Sequence, residues 1–167
     1  MAAGSTYSQI ATQTLGSSAA SVIFSSIPQT YTNLVLITSP IMTSGTPELK
    51  IRFNSDGTNN YSFTLVYGDG GSAGSTRVTN STGIDIGYYG VANTTAGGCV
   101  QITNIQNYMN TTTNKTSLTR ANNTSYGTEA IVGLWRNTAA ITSITIYPNS
   151  STFDTGSPFS LYGIKGA

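Results

Sequence analysis

The chain has 167 residues, no histidine, one cysteine, six acidic side chains and a formal net charge of +1. Without histidine there is no Ser-His-Asp or Cys-His set, and one cysteine supplies neither a zinc site nor an internal disulfide. Charged residues make up 8% of the chain and its cations are scattered, so no basic stripe forms and neither nucleic acid nor an anionic membrane is an expected partner.

Read from the N-terminus, the pattern is period-two alternation broken by turns. Met1 to Thr6 has no basic region leading into an apolar run, so no secretory signal is expected. Strands are predicted over 8–15, 20–26, 33–38, 48–54, 60–67, 75–79, 84–89, 99–107, 115–120, 129–136, 141–147 and 159–165. In the fourth, Leu49, Ile51 and Phe53 face one way and Lys50 and Arg52 the other. In the fifth, Tyr61, Phe63, Leu65 and Tyr67 alternate with Ser62, Thr64 and Val66. The eleventh carries an irregularity near Ser143. Turns fall at Asn54-Ser55-Asp56-Gly57, Gly68-Asp69-Gly70-Gly71 and Pro148-Asn149-Ser150-Ser151, whose residues tolerate positive φ. The Gly/Ser-rich stretch 68–83 reads as a long exposed loop, and residues 1–15 as an N-terminal arm or first strand. No segment shows helical periodicity, and Thr and Asn are poor helix formers. The expected fold is therefore one all-β domain over 1–167, an antiparallel β-sandwich of the jelly-roll kind with about 8–12 short strands. Its core should include Phe24, Leu36, Ile51, Phe53, Phe63, Leu65, Trp135 and Ile144.

The inventory for chemistry is thin. Glu48, Asp56, Asp69, Asp85, Glu129 and Asp154 are the pool from which a sugar-cleaving carboxylate pair would have to come. Asp56, Asp69 and Asp154 sit in turns, where Asp bonds its own backbone, and Asp85 reads as outward-facing between Ile84 and Ile86. Asn54-Asp56-Thr58 could ligate calcium but lacks a second carboxylate, so a plain hairpin turn is the better reading. No catalytic residue, metal or cofactor is assigned. Cys99 reads as a small buried hydrophobe. Tyrosines are the enriched class with binding potential, and Tyr7, Ile10, Leu15, Tyr31, Tyr88 and Tyr89 are the candidate interface residues.

Four stretches, taken together, resemble a family of small tailed-bacteriophage structural proteins. They are Tyr7 to Leu15, Ile23 to Leu34, Val132 to Ile144 and Phe159 to Lys165. The resemblance implies a jelly-roll-like sandwich without catalytic residues, acting as a capsid decoration (cement) protein on the outer surface of the virion. Its implied partners are further copies of itself, as a homotrimer, and the major capsid protein. The alternative is a tail- or head-fibre module that binds a host-surface glycan. No functional residue transfers from the family.

Overall fold

The computed structural model describes residues 6–88 and 94–165, and the described residues contain no helix. Twelve strands run in chain order: β1 (Tyr7–Thr14), β2 (Val22–Phe24), β3 (Asn33–Thr38), β4 (Leu49–Phe53), β5 (Tyr61–Gly68), β6 (Ala73–Ser81), β7 (Ile84–Gly87), β8 (Cys99–Gln106), β9 (Lys115–Asn123), β10 (Gly127–Trp135), β11 (Ile144–Pro148) and β12 (Pro158–Ile164). They form two antiparallel sheets. The larger has eight strands in the order β1-β12-β3-β8-β9-β10-β5-β6, and the smaller has four in the order β2-β11-β4-β7. This is an antiparallel β-sandwich.

Alternation assigns the faces. Leu34 and Leu36 of β3, Ile131 and Trp135 of β10, and Tyr61, Phe63 and Leu65 of β5 are buried on the inner side of the larger sheet. They meet Phe24, Ile51, Phe53, Ile84 and Ile144 from the smaller sheet in one core. Each such side chain contributes roughly 1.5–3 kcal/mol through burial. Phe53, Tyr61 and Trp135 form an aromatic cluster, with Phe53 and Trp135 centroids 5.5 Å apart. Cys99 is buried and its thiol donates to the Pro40 carbonyl. Between β3, β8 and β9 the inner face turns polar, and most of its groups pair with one another, the buried Ser117 hydroxyl being the exception. Thr38 donates to Gln101 at 2.7 Å, and the hydroxyls of Thr103 and Thr119 are 2.9 Å apart.

Several expectations need correction. Residues 68–83 are not a long loop: β6 occupies Ala73–Ser81 and pairs with β5, leaving a tight turn in which Asp69 accepts from the Gly71 and Ser72 amides. The predicted strand 75–79 falls inside β6, and composition hid its full extent because its Ser and Thr lie on an exposed edge with little to bury. Of the two readings of the first segment, the strand applies to the described residues: β1 pairs with β12 along its length with a bulge between Gln9 and Ala11. Asp85 does not face solvent. Every residue of β7 is buried, Asp85 included. Leu15 belongs to the core and not to a surface, and backbone bonds to Ser157 and Gly156 hold it there. Residues 141–143 lie outside β11, which begins at Ile144.

Candidate functional site

The smaller sheet covers the inner face of the larger one, and nothing among the described residues covers its outer face. Side chains in phase on that face follow the pairing register. One row crosses every strand of the larger sheet: Arg77, Thr64, Val132, Leu118, Asn104, Val35, Tyr162 and Gln9. The next row contains Ser75, Val66, Ala130, Arg120, Ile102, Ile37, Ser160 and Thr12. Antiparallel neighbours in register touch side by side, so these rows run across the face, exposed at its centre on β5, β9 and β10 and buried at Val35 of β3.

The centre of the face is apolar and wet. Val66 and Val132 are each 55% exposed and Leu118 is 42% exposed. Two depressions of about 280 Å³ flank the centre, one lined by Val66, Ala130 and Arg120, the other by Thr64, Val132, Leu134 and Arg77. Each depression therefore carries one exposed arginine. Neither arginine is in an ion pair among the described residues, where the ion pairs are those of Lys50. Of the acids, Glu48 and Asp85 lie near the Lys50 pairs and Asp56, Asp69 and Asp154 in turns, while Glu129 borders the Arg120 depression but is buried, its carboxylate accepting from the Tyr88 amide. The face thus combines apolar side chains with two exposed arginines that form no ion pair among the described residues.

The sequence-predicted interface residues do not gather there. Tyr7 is exposed on edge strand β1, and Ile10 on the same strand is half-buried against the core. Tyr31 is half-buried and lies over Gly163, where a methyl group would meet its ring at 2.2 Å. Tyr88 packs on Phe63 at 5.9 Å between centroids, and its amide donates to Glu129 Oε2 at 2.9 Å. Leu15 is core, and Tyr89 lies outside the described residues. Arg77, Arg120, Leu118 and Val132 escaped the sequence reading. One signal pointed to this face: Val66 is apolar at an outward position of the period-two pattern in β5.

The candidate carboxylates serve the fold. Asp56 accepts from Trp135 Nε1 at 2.8 Å, Asn60 Nδ2 at 3.0 Å and the Thr58 amide at 2.9 Å. Burial opposes its ionisation, yet these hydrogen bonds and that of the Thr58 hydroxyl hold its carboxyl well below the usual carboxylate range. The Asn54–Thr58 segment is therefore a hydrogen-bonded turn. Asp85 is wholly buried and presents no carboxylate to a substrate. Among the described residues no group of three or more Cys, Asp or Glu side chains is arranged to hold a metal ion.

No protein-family model matches the chain, and no curated protein sequence matches it. Among solved structures, galectin LEC-6 from Caenorhabditis elegans is similar with a TM-score of 0.36 and 10% identity, over 91% of this chain and 95% of that one. An exo-inulinase from Aspergillus awamori is similar with a TM-score of 0.35 and 8% identity, over 95% of this chain and 29% of that one. Likenesses this distant carry no argument about ligand or activity.

Proposed function

We propose that this chain is a structural adhesion subunit of a tailed-phage particle, a decoration protein that docks on the outer shell through the outer face of its larger sheet. The observation that carries the reading is the uncovered apolar strip centred on Val66, Leu118 and Val132. A soluble chain leaves such a strip wet when something else is to cover it. Arg77 and Arg120 set the sign of the partner, which must bring carboxylates to the two depressions. They also disfavour pairing of the face with a second copy, because that would bring arginine toward arginine. Contacts between copies in a trimer are left to the open edges, β1 and β6 of the larger sheet. The resemblance to phage structural proteins supplies the shell as the partner.

The test is occupancy on particles. Leu118→Asp combined with Val132→Asp should abolish binding to shells that lack the chain, while circular dichroism remains that of the parent. Full occupancy by this variant would refute docking through the face. Binding to host polysaccharide in place of shells would move the chain to the fibre reading.

A further inference from the structure

Lys50 and Asp85 stand directly opposite each other in the antiparallel pair of β4 and β7, so their side chains share one face of the smaller sheet. Lys50 Nζ is 3.6 Å from Asp85 Oδ2 and 3.2 Å from Glu48 Oε2. The Asp85 side chain is fully buried, and neither of its oxygens accepts a hydrogen bond. A buried carboxylate without hydrogen bonds is a costly group, and an opposite charge at this distance offsets that cost poorly. The turn and core roles that explain the other acids leave this one unexplained.

We propose that Lys50 Nζ and Asp85 Cγ condense to an intramolecular isopeptide bond that covalently staples β7 to β4. The assignment is independent of the virion reading. Burial, with the nearby charges of Glu48 and Glu129, pushes the Asp85 carboxyl up to about 8 despite Lys50, so at neutral pH it holds its proton and is an acceptor for an amine. The Lys50 ammonium must first lose a proton. Burial favours that loss, although Asp85 and Glu48 together hold the group above its ordinary value. Glu48 Oε2 is the base within reach. The neutral amine then attacks Cγ of the Asp85 carboxylic acid. A C–N bond forms, the Cγ–OH bond breaks, and the hydroxyl leaves as water with the second proton released by the nitrogen. Glu48 ends protonated and returns its proton to solvent, to which its side chain is 27% exposed. The sum is ammonium, carboxylate and carboxylic acid giving amide, carboxylic acid and water, with no oxidant or activating group.

Two effects drive a condensation that fails in open water. The fold holds the reacting atoms together, and effective molarities of well-oriented groups reach on the order of 10⁵–10⁸ M. The amide is also neutral, so it removes the cost of keeping a buried carboxyl without hydrogen bonds beside the half-buried Lys50 ammonium. A covalent link at this place suits a four-residue edge strand that pairs along one side only.

Intact mass spectrometry of the denatured full-length chain tests the bond. The mass should fall one water below that of the sequence, after allowance for loss of Met1. Tryptic digestion should leave a branched peptide that joins the segments containing Lys50 and Asp85, uncut after Lys50. Lys50→Arg and Asp85→Ala should restore the full mass, and Glu48→Gln should slow the loss. A natively folded parent with its full sequence mass would overturn the proposal, and that measurement decides even if a variant does not fold. A water loss that persists in Lys50→Arg would also overturn it, by assigning the loss to a succinimide at Asp56-Gly57 or Asp69-Gly70.

Discussion

Trp135 Nε1 donates to Asp56 Oδ2 at 2.8 Å, which ties the last residue of β10 to the turn that follows β4. The indole is 1% exposed, so its N–H depends on Asp56 for a hydrogen-bond partner. Asp56→Ala should cost roughly 2–3 kcal/mol, the usual scale for bonds to a charged acceptor plus a stranded donor. The Asp56 proton is held more weakly in the folded chain than in the unfolded one. Its stabilisation is therefore present above about pH 4 and lost as pH falls below that value. Thermal midpoints followed by tryptophan fluorescence from neutral to acid pH should show this loss in the parent, and a flatter profile in Asp56→Asn.

Asn54 is the second anchor of the same turn. Its φ is +50°, in the left-handed region that Asn tolerates better than most residues. Its Oδ1 accepts from the Thr142 amide at 2.8 Å and the Ser143 amide at 3.2 Å, and its Nδ2 donates to the Ala140 carbonyl at 2.8 Å. Asn54→Ala loses these bonds, together with the one from the Thr142 hydroxyl, and strains the backbone. A loss of about 3 kcal/mol in urea unfolding is expected. Asn54→Gly should cost less, because it removes only the bonds. Equal losses for the two would show that the backbone angle contributes nothing.

These two residues also show how far the sequence reached. Alternation in β4 and β5 is plain in the sequence because one phase is Leu, Ile, Phe or Tyr and the other is largely polar, so their buried residues can be named; in β10 the outward phase of Ala130, Val132 and Leu134 is apolar too, so the unbroken run 131–135 assigns no face. The irregularity at Ser143 was visible as a break in the isoleucine spacing. Its cause, an asparagine 89 positions away that bonds the Ser143 amide, has no local trace. Only 75–79 of β6 is legible as strand, within a stretch that otherwise reads as loop, because an exposed edge strand needs no apolar phase. Asp85 was read as outward, and its pairing with Lys50 does put the two on one face. Its burial depends on what else covers that face, which spacing does not encode. The outer-face strip assembles from single apolar residues on separate strands, and only Val66 broke a local pattern.

Tyr108 is fully buried, and its hydroxyl donates to the Pro28 carbonyl while it accepts from the Tyr31 amide at 3.4 Å. Tyr108→Phe keeps the ring and strands both backbone groups. It should lower stability by about 1–2 kcal/mol without altering the β-sheet circular dichroism signal. Hydrogen exchange should report the change locally, with faster exchange at Tyr31. Unchanged stability would mean that water replaces the hydroxyl at no cost.

Val132 and Gly133 are chain neighbours with opposite duties. Gly133 faces inward, and a methyl group there would lie 2.4 Å from Ile84 Cγ2 and 2.6 Å from Ser117 Oγ. The obstacle is packed core between the sheets, so Gly133→Ala should cost roughly 1–3 kcal/mol by overpacking. Val132 points the other way into solvent. Val132→Thr keeps the β-branched shape, and its thermal midpoint should stay within the change expected of a surface site, about 0.5 kcal/mol. The pair separates folding from docking: the glycine variant should lose stability, whereas the valine variant should lose affinity for the shell and leave the fold intact. If Val132→Thr instead unfolded the chain while Gly133→Ala did not, the two faces of β10 would have been assigned the wrong way round, and the docking face with them.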